Sequence, residues 1–190
     1  MIRIAVLGDI GSGKSYFAKQ LKIPLFNADD VVSNLYKKSK SLFIKLKRVF
    51  PKYIVSFPIN KDQLVKIINQ NSSNLKKIIK VVHPMVRKEM NIFLKKNKNK
   101  KAVVLDIPLY LENKLNLETD ILIFIDSNKS QVIKRLKKRK NFNIKTHRFL
   151  QSLQTSVLEK REKADFVVKN NFVSAKIKKE AKNLLKKILI

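Results

Sequence analysis

Apolar positions along the chain follow two rhythms. Five short runs, at residues 2–7, 23–26, 102–105, 121–125 and 166–168, are almost continuously apolar and rich in β-branched residues. Such runs, lacking alternation, predict strands covered on both faces. Between them apolar residues recur at helical spacing, as in Val132, Ile133 and Leu136, or Ile177, Ala181, Leu184, Leu185 and Ile188. Strand and helix in alternation predict an α/β fold with a five-stranded parallel sheet and right-handed crossovers.

Residues 33–97 break this alternation, with several helical patterns and no convincing strand. They predict a helical excursion from the sheet, divided by Pro51 and Pro58, with Asn60 and Ser72 placed as N-caps. Lysine and asparagine alternate over residues 95–101, the pattern of a solvated loop before the third strand. A chain of 190 residues, 44% hydrophobic, is long enough for one sizeable core and short for two ordinary domains.

No apolar run approaches the roughly 20 residues of a membrane span. The first strand begins at Ile2 without a visible secretory leader, and cysteine is absent. These features suit a cytoplasmic protein with neither disulfides nor thiolate metal sites. Lysine and arginine number 43 against 14 acidic residues, a net charge of +29. Nearly all the cations are lysines in a chain also rich in Asn and Ile, all residues of A/T-rich codons. The excess therefore reads first as a solvated lysine surface. A nucleic-acid partner is the alternative, but the basic runs lack the interleaved aromatic residues of a stacking platform.

All three glycines of the chain lie in one place, Gly8-Asp9-Ile10-Gly11-Ser12-Gly13-Lys14-Ser15, directly after the first strand and before an amphipathic helix carrying Phe17, Ala18 and Leu21. This is the P-loop pattern. Glycines let successive N–H groups turn toward phosphate oxygens, and the helix adds its positive end. Lys14 is then expected at the β- and γ-phosphates of ATP, and the Ser15 hydroxyl on Mg²⁺.

A carboxylate follows the second strand, where a parallel sheet borders its ligand crevice. Asp29 is read there as the group that accepts the proton of an attacking hydroxyl, and Asp30 as the cap of a helix beginning at Val31. Asp106 ends the third strand and either holds Mg²⁺ through water or is satisfied by the phosphate loop itself. Arg135 and Arg139, four residues apart, project from one helix face, as a phosphate clamp or as part of a solvated surface. His83 before Pro84 either serves the site or caps a helix starting at the proline. Glu112 is either an acceptor contact or a first-turn charge.

The phosphate loop, Ala28-Asp29, His83-Pro84, Leu105-Asp106-Ile107-Pro108-Leu109-Tyr110-Leu111-Glu112-Asn113, Gln154, Lys160, Ala164-Asp165 and Asn170-Asn171 resemble the dephospho-CoA kinase family in order and spacing, over essentially the whole chain. The resemblance implies a P-loop NTPase fold of three α/β/α layers. Its core would comprise residues 1–32, 98–130 and 160–190, with a helical substrate region at about 33–97 and a lid at about 131–159. It implies transfer of the ATP γ-phosphate, with Mg²⁺, to the ribose 3′-hydroxyl of dephospho-CoA, giving coenzyme A. Asp29 matches the family's catalytic aspartate, and Lys14, Arg135 and Arg139 would join it. Gly8, Gly11, Ser12, Gly13, Lys14, Ser15, Tyr16 and Asn170 would surround ATP, and His83, Pro108, Leu109 and Glu112 the acceptor. Asn27, Tyr110, Lys140 and Lys169 depart from the family's usual Asp, Leu, acidic residue and Asp. Neither a membrane nor nucleic acid is expected as main partner, and the assembly would be a monomer or small homo-oligomer. Other small-molecule P-loop kinases, of nucleoside monophosphate or shikimate type, share much of the pattern, as would a nucleic-acid-binding P-loop protein.

Overall fold

The computed structural model describes residues 1–71, 73–138 and 144–190. The chain forms two units, Met1–Asn27 with Asn97–Ile190, and Ala28–Lys96.

The first unit is built on a sheet of β1 (Ile2–Gly8), β2 (Leu25–Asn27), β3 (Ala102–Asp106), β4 (Ile121–Ser127) and β5 (Phe166–Asn170). Every pair is parallel and the order is β2-β3-β1-β4-β5. All five predicted strands are present. β2 begins at Leu25 because Pro24 has no N–H to give the ladder, although its carbonyl accepts from Val104 N at 2.8 Å. At their carboxyl ends β1, β3, β4 and β5 run beyond the apolar runs to Gly8, Asp106, Ser127 and Asn170, residues that face the crevice side of such a sheet.

Helices α1 (Lys14–Gln20), α6 (Lys129–Lys137), α7 (Ile144–Ser152), α8 (Val157–Glu162) and α9 (Ser174–Ile188) complete the unit among the described residues. Phe17, Ala18 and Leu21 of α1 and Ile177, Ala181, Leu184 and Ile188 of α9 pack with Ile4, Val6, Val104, Ile123 and Ile125 in one core. At about 1.5–3 kcal/mol for each large apolar side chain removed from water, this face dominates the unit's stability. Ala5, Leu7, Val103, Leu105 and Phe124, pointing to the other face, are also buried, and α8 packs on β1. Thus α9 docks on the sheet by its apolar stripe and leaves its lysines exposed.

The second unit consists of α2 (Ala28–Lys38), α3 (Lys40–Val49), α4 (Lys61–Gln70) and α5 (Asn74–Lys96), the expected helical excursion. Asn60 caps α4 as predicted, in a reciprocal capping box with Gln63 at 3.0 and 3.1 Å, while Ser72 lies outside the described residues. Three expectations are corrected. Helix α2 starts at Ala28 rather than Val31, so Asp30 is a first-turn charge beside Asp29 and not a cap. Helix α5 runs through Pro84, so His83 caps nothing. Its stripe of Ile78, Val82, Val86 and Met90, buried at successive helical turns across the proline, outweighs the one hydrogen bond the ring removes. The same stripe carries the helix to Lys96, so the solvated loop starts at residue 97 rather than 95.

Candidate active site at the phosphate loop

The loop between β1 and α1 turns back on itself through left-handed glycines. Gly13 has φ 94°, and a β-carbon there would stand 2.3 Å from Asn170 Nδ2, so a side chain is excluded both by conformation and by space. The Lys14 ammonium donates to the Gly8 and Asp9 carbonyls at 3.0 and 2.8 Å, which holds its charge over the loop's mouth. Two side chains from distant parts of the chain fasten the loop: Asn170 Nδ2 and Ser127 Oγ both donate to the Ser12 carbonyl, at 2.7 and 2.8 Å. The Ser12 hydroxyl is buried without a hydrogen-bond partner among the described residues, a donor suited to a phosphate oxygen.

Beyond Gly13 opens a cleft of about 250 Å³ lined by Tyr16, Arg135, Asn170, Phe172 and Ser174. The Tyr16 hydroxyl hydrogen-bonds with Ser174, and the exposed Arg135 guanidinium lies 4.5 Å from the centre of the Phe172 ring. Arg135 is therefore a wall of this cleft, stacked on an aromatic residue that the sequence pattern did not single out. Arg139 and Lys140 lie outside the described residues, and α6 ends at Lys137.

On the other side, Lys14 and Gly8 share a small pocket with Pro108, Leu109, Glu112 and Lys160. Leu109 adopts φ 58°, an unusual value for a non-glycine residue and one that sharply turns the segment after β3. Glu112 lies in this non-helical turn, so it is no helix first-turn charge. Its carboxylate accepts from Thr155 N at 2.8 Å and pairs with Lys160 Nζ at 3.1 Å, and Lys160 also donates to Gln154 Oε1 at 2.9 Å. Burial opposes charge on Glu112, but hydrogen bonds from backbone N–H groups and from Lys160 prevail and hold its carboxyl below the ordinary range.

Asp106 is buried, and Asn27 Nδ2 donates to its Oδ2 at 2.6 Å across the β2–β3 register. Ser15 stands in the first turn of α1. No cluster of three acidic or imidazole ligands occurs among the described residues. A Mg²⁺ ion that takes most of its ligands from phosphate and water needs no such cage, and the donors present fit that case.

In the second unit Asp29 occupies the exposed first turn of α2, two residues past the end of β2. His83 lies half-buried within α5, where burial and then the nearby Arg87 charge lower its pKa, so the ring is neutral at pH 7.

Sequence reading also missed the network beneath the turn after β3. Arg3 donates to the Tyr110 hydroxyl at 2.7 Å and to the Leu115 carbonyl at 3.0 Å, and pairs with the buried Asp120 at 2.9 Å. Tyr110 donates to Asp120 at 2.6 Å. The signal available was the polar Tyr110 in an otherwise apolar stretch.

A sequence model of the family described as dephospho-CoA kinase matches residues 2–176. The chain is 32% identical over 187 residues to a dephospho-CoA kinase of Wolbachia from Brugia malayi, covering 96% of this chain and 95% of that one. It is 30% identical over 193 residues to one from Bacillus cereus, covering 97% and 96%. Among solved structures, a dephospho-CoA kinase from Campylobacter jejuni superposes with TM-score 0.68 at 22% identity, covering 98% of this chain and 96% of that one. A protein from Thermus thermophilus does so with TM-score 0.77 at 24% identity, covering 98% and 97%. Both share the fold. No described helix is long and apolar enough to cross a membrane.

Proposed function

This chain belongs to the dephospho-CoA kinase family and phosphorylates dephospho-CoA from ATP in coenzyme A biosynthesis, and on that premise we propose how its residues divide the work. The observation that carries the proposal is the fastened phosphate loop, with Lys14 over its mouth and an unpartnered Ser12 hydroxyl inside it.

The loop from Gly8 to Ser15 holds the ATP phosphates, and the adenine lies in the cleft of Tyr16, Asn170, Phe172 and Arg135, where a guanidinium and a ring offer flat faces to a base. Ser15, with Asp106 acting through water, would hold Mg²⁺, which neutralises charge on the phosphates when bound. Pro108, Leu109 and Glu112 form the acceptor wall, with His83 as a further acceptor contact. Asp29 orients the ribose 3′-hydroxyl and receives its proton as the new oxygen–phosphorus bond forms and the bond to ADP breaks. Lys14 follows the charge on the transferring group; Arg139 is assigned to the phosphates with it. Arg135 serves the nucleotide cleft rather than the phosphates, given its stacking on Phe172. The reaction is placed in the cytoplasm, where ATP and Mg²⁺ are supplied.

The test is a coupled assay with ATP and a panel of dephospho-CoA, a nucleoside monophosphate and shikimate, the product identified by mass and the phosphate position by fragmentation. Coenzyme A should be the product. Phosphate on another hydroxyl, or turnover confined to another acceptor, would overturn the assignment.

A further inference from the structure

The lysines of this chain are overwhelmingly exposed, and Lys160 is the one buried lysine among the described residues, at 4% exposure. It is also set in the wall of the pocket that holds Lys14. We propose that Lys160 is a positioning residue for phosphoryl transfer, which grips the Glu112 carboxylate and the Gln154 carbonyl and thereby holds the acceptor wall against the phosphate loop. The inference rests on Glu112 being an acceptor contact.

Three observations meet here. An ammonium ion removed from water requires compensating partners, and Glu112 and Gln154 supply them at 3.1 and 2.9 Å. Those partners come from segments more than forty residues apart in sequence, so the ion joins the turn after β3 to the segment before α8. Glu112 also takes the Thr155 N–H, which leaves its carboxylate few ways to rotate. The titratable and charged groups around this pocket are Lys14, Tyr110, Glu112 and Lys160. Without Lys160, one of the groups that hold the Glu112 carboxyl low is gone, so the carboxyl titrates higher than in the parent.

The sign of the consequence is fixed. In the parent, the lowered Glu112 pKa contributes stability above the unfolded value, lost as pH falls through the folded one. In Lys160→Met the folded pKa lies higher than in the parent, so less stability is gained as pH rises. The experiment compares Lys160→Met, Glu112→Gln and the double variant Lys160→Met/Glu112→Gln by thermal melting from pH 4 to pH 8, and by KM for both substrates. From pH 4 to pH 8 the Tm of the parent should rise relative to Glu112→Gln, and the Tm of Lys160→Met should rise less, or fall, relative to the double variant. Its acceptor KM should rise about tenfold, the effect of an interaction of ordinary strength, while the ATP KM stays within about twofold.

Equal Tm changes with pH in the two comparisons overturn the role of Lys160. If the Tm changes differ as expected but Glu112→Gln keeps the parent's acceptor KM, the acceptor reading of Glu112 fails instead. Should Lys160→Met fold only in acid, a double variant that folds throughout is the same positive result. A double variant that also folds only in acid overturns it.

Discussion

Gly13→Ala tests whether the phosphate loop depends on the close approach of β5. The φ of 94° alone costs a non-glycine residue about 1–2 kcal/mol. The new β-carbon would lie 2.3 Å from Asn170 Nδ2, so Asn170, itself buried, must leave the Ser12 carbonyl it holds at 2.7 Å. Breaking that buried hydrogen bond costs about 1–3 kcal/mol. Together the two effects come to about 2–5 kcal/mol, or a fall in Tm of about 4–20 °C for a chain of this size. Melting by circular dichroism measures the stability, and initial rates at varied ATP measure the site, where KM should rise by at least about tenfold if the cleft that Asn170 also lines takes the nucleotide, as proposed. The cause is separable. In Gly13→Ala/Asn170→Ala the clash is gone and the hydrogen bond to Ser12, which each single substitution breaks, is lost only once, so the two substitutions should be non-additive by about 1 kcal/mol or more. Strictly additive Tm effects, or a Gly13→Ala enzyme with the parent's melting and ATP KM, would refute the reasoning.

Asp29→Asn should lower turnover by roughly 10² to 10⁴ with ATP binding intact, whereas Asp30→Asn, which removes a first-turn charge, should cost about 0.3–1 kcal/mol of stability through the helix end and little activity. Side-by-side acceptor-dependent rates decide it, and the opposite ranking would move the base to Asp30. Arg135→Ala should raise the ATP KM several-fold through loss of about 0.5–2 kcal/mol of stacking, with kcat near the parent's; a collapse of kcat instead would return Arg135 to the phosphates. Tyr110→Phe leaves the buried Asp120 and Arg3 short of a hydrogen bond and should cost about 1–3 kcal/mol, read as a lower Tm with unchanged turnover per folded molecule. An unchanged Tm would show that the network closes without the hydroxyl.

The strands were legible because burial on both faces leaves a continuous apolar run, and the phosphate loop because glycines in a glycine-poor chain have no cheaper explanation. The Asn60 cap was legible for the same local reason, a side chain that acts on a backbone group three residues away. What remained hidden acts over long separations. Nothing near Ser127 or Asn170 in sequence announces that both reach the Ser12 carbonyl, and the family pattern that marks Lys160 does not say that it is buried on Glu112 and Gln154. Pro84 misled for a physical reason: a proline favours a helix start, but the apolar stripe on either side of it in α5 proved stronger than that preference. Arg135 was read from its spacing to Arg139, while its actual neighbour is Phe172, thirty-seven residues away and invisible to helical periodicity.

The double tether on the Ser12 carbonyl also has a meaning for the order in which a ribosome delivers this chain. The phosphate loop emerges before both of its fasteners, Ser127 at the end of β4 and Asn170 in β5. A nascent chain that stops short of β5 carries the whole phosphate-binding sequence and lacks both the edge strand beside β4 and the side chain that packs against Gly13. α1, which gives the loop its positive end, likewise waits for α9 to cover it. The loop is thus fastened only by residues made more than a hundred positions after it, and until β5 is in place its shape rests on local contacts alone.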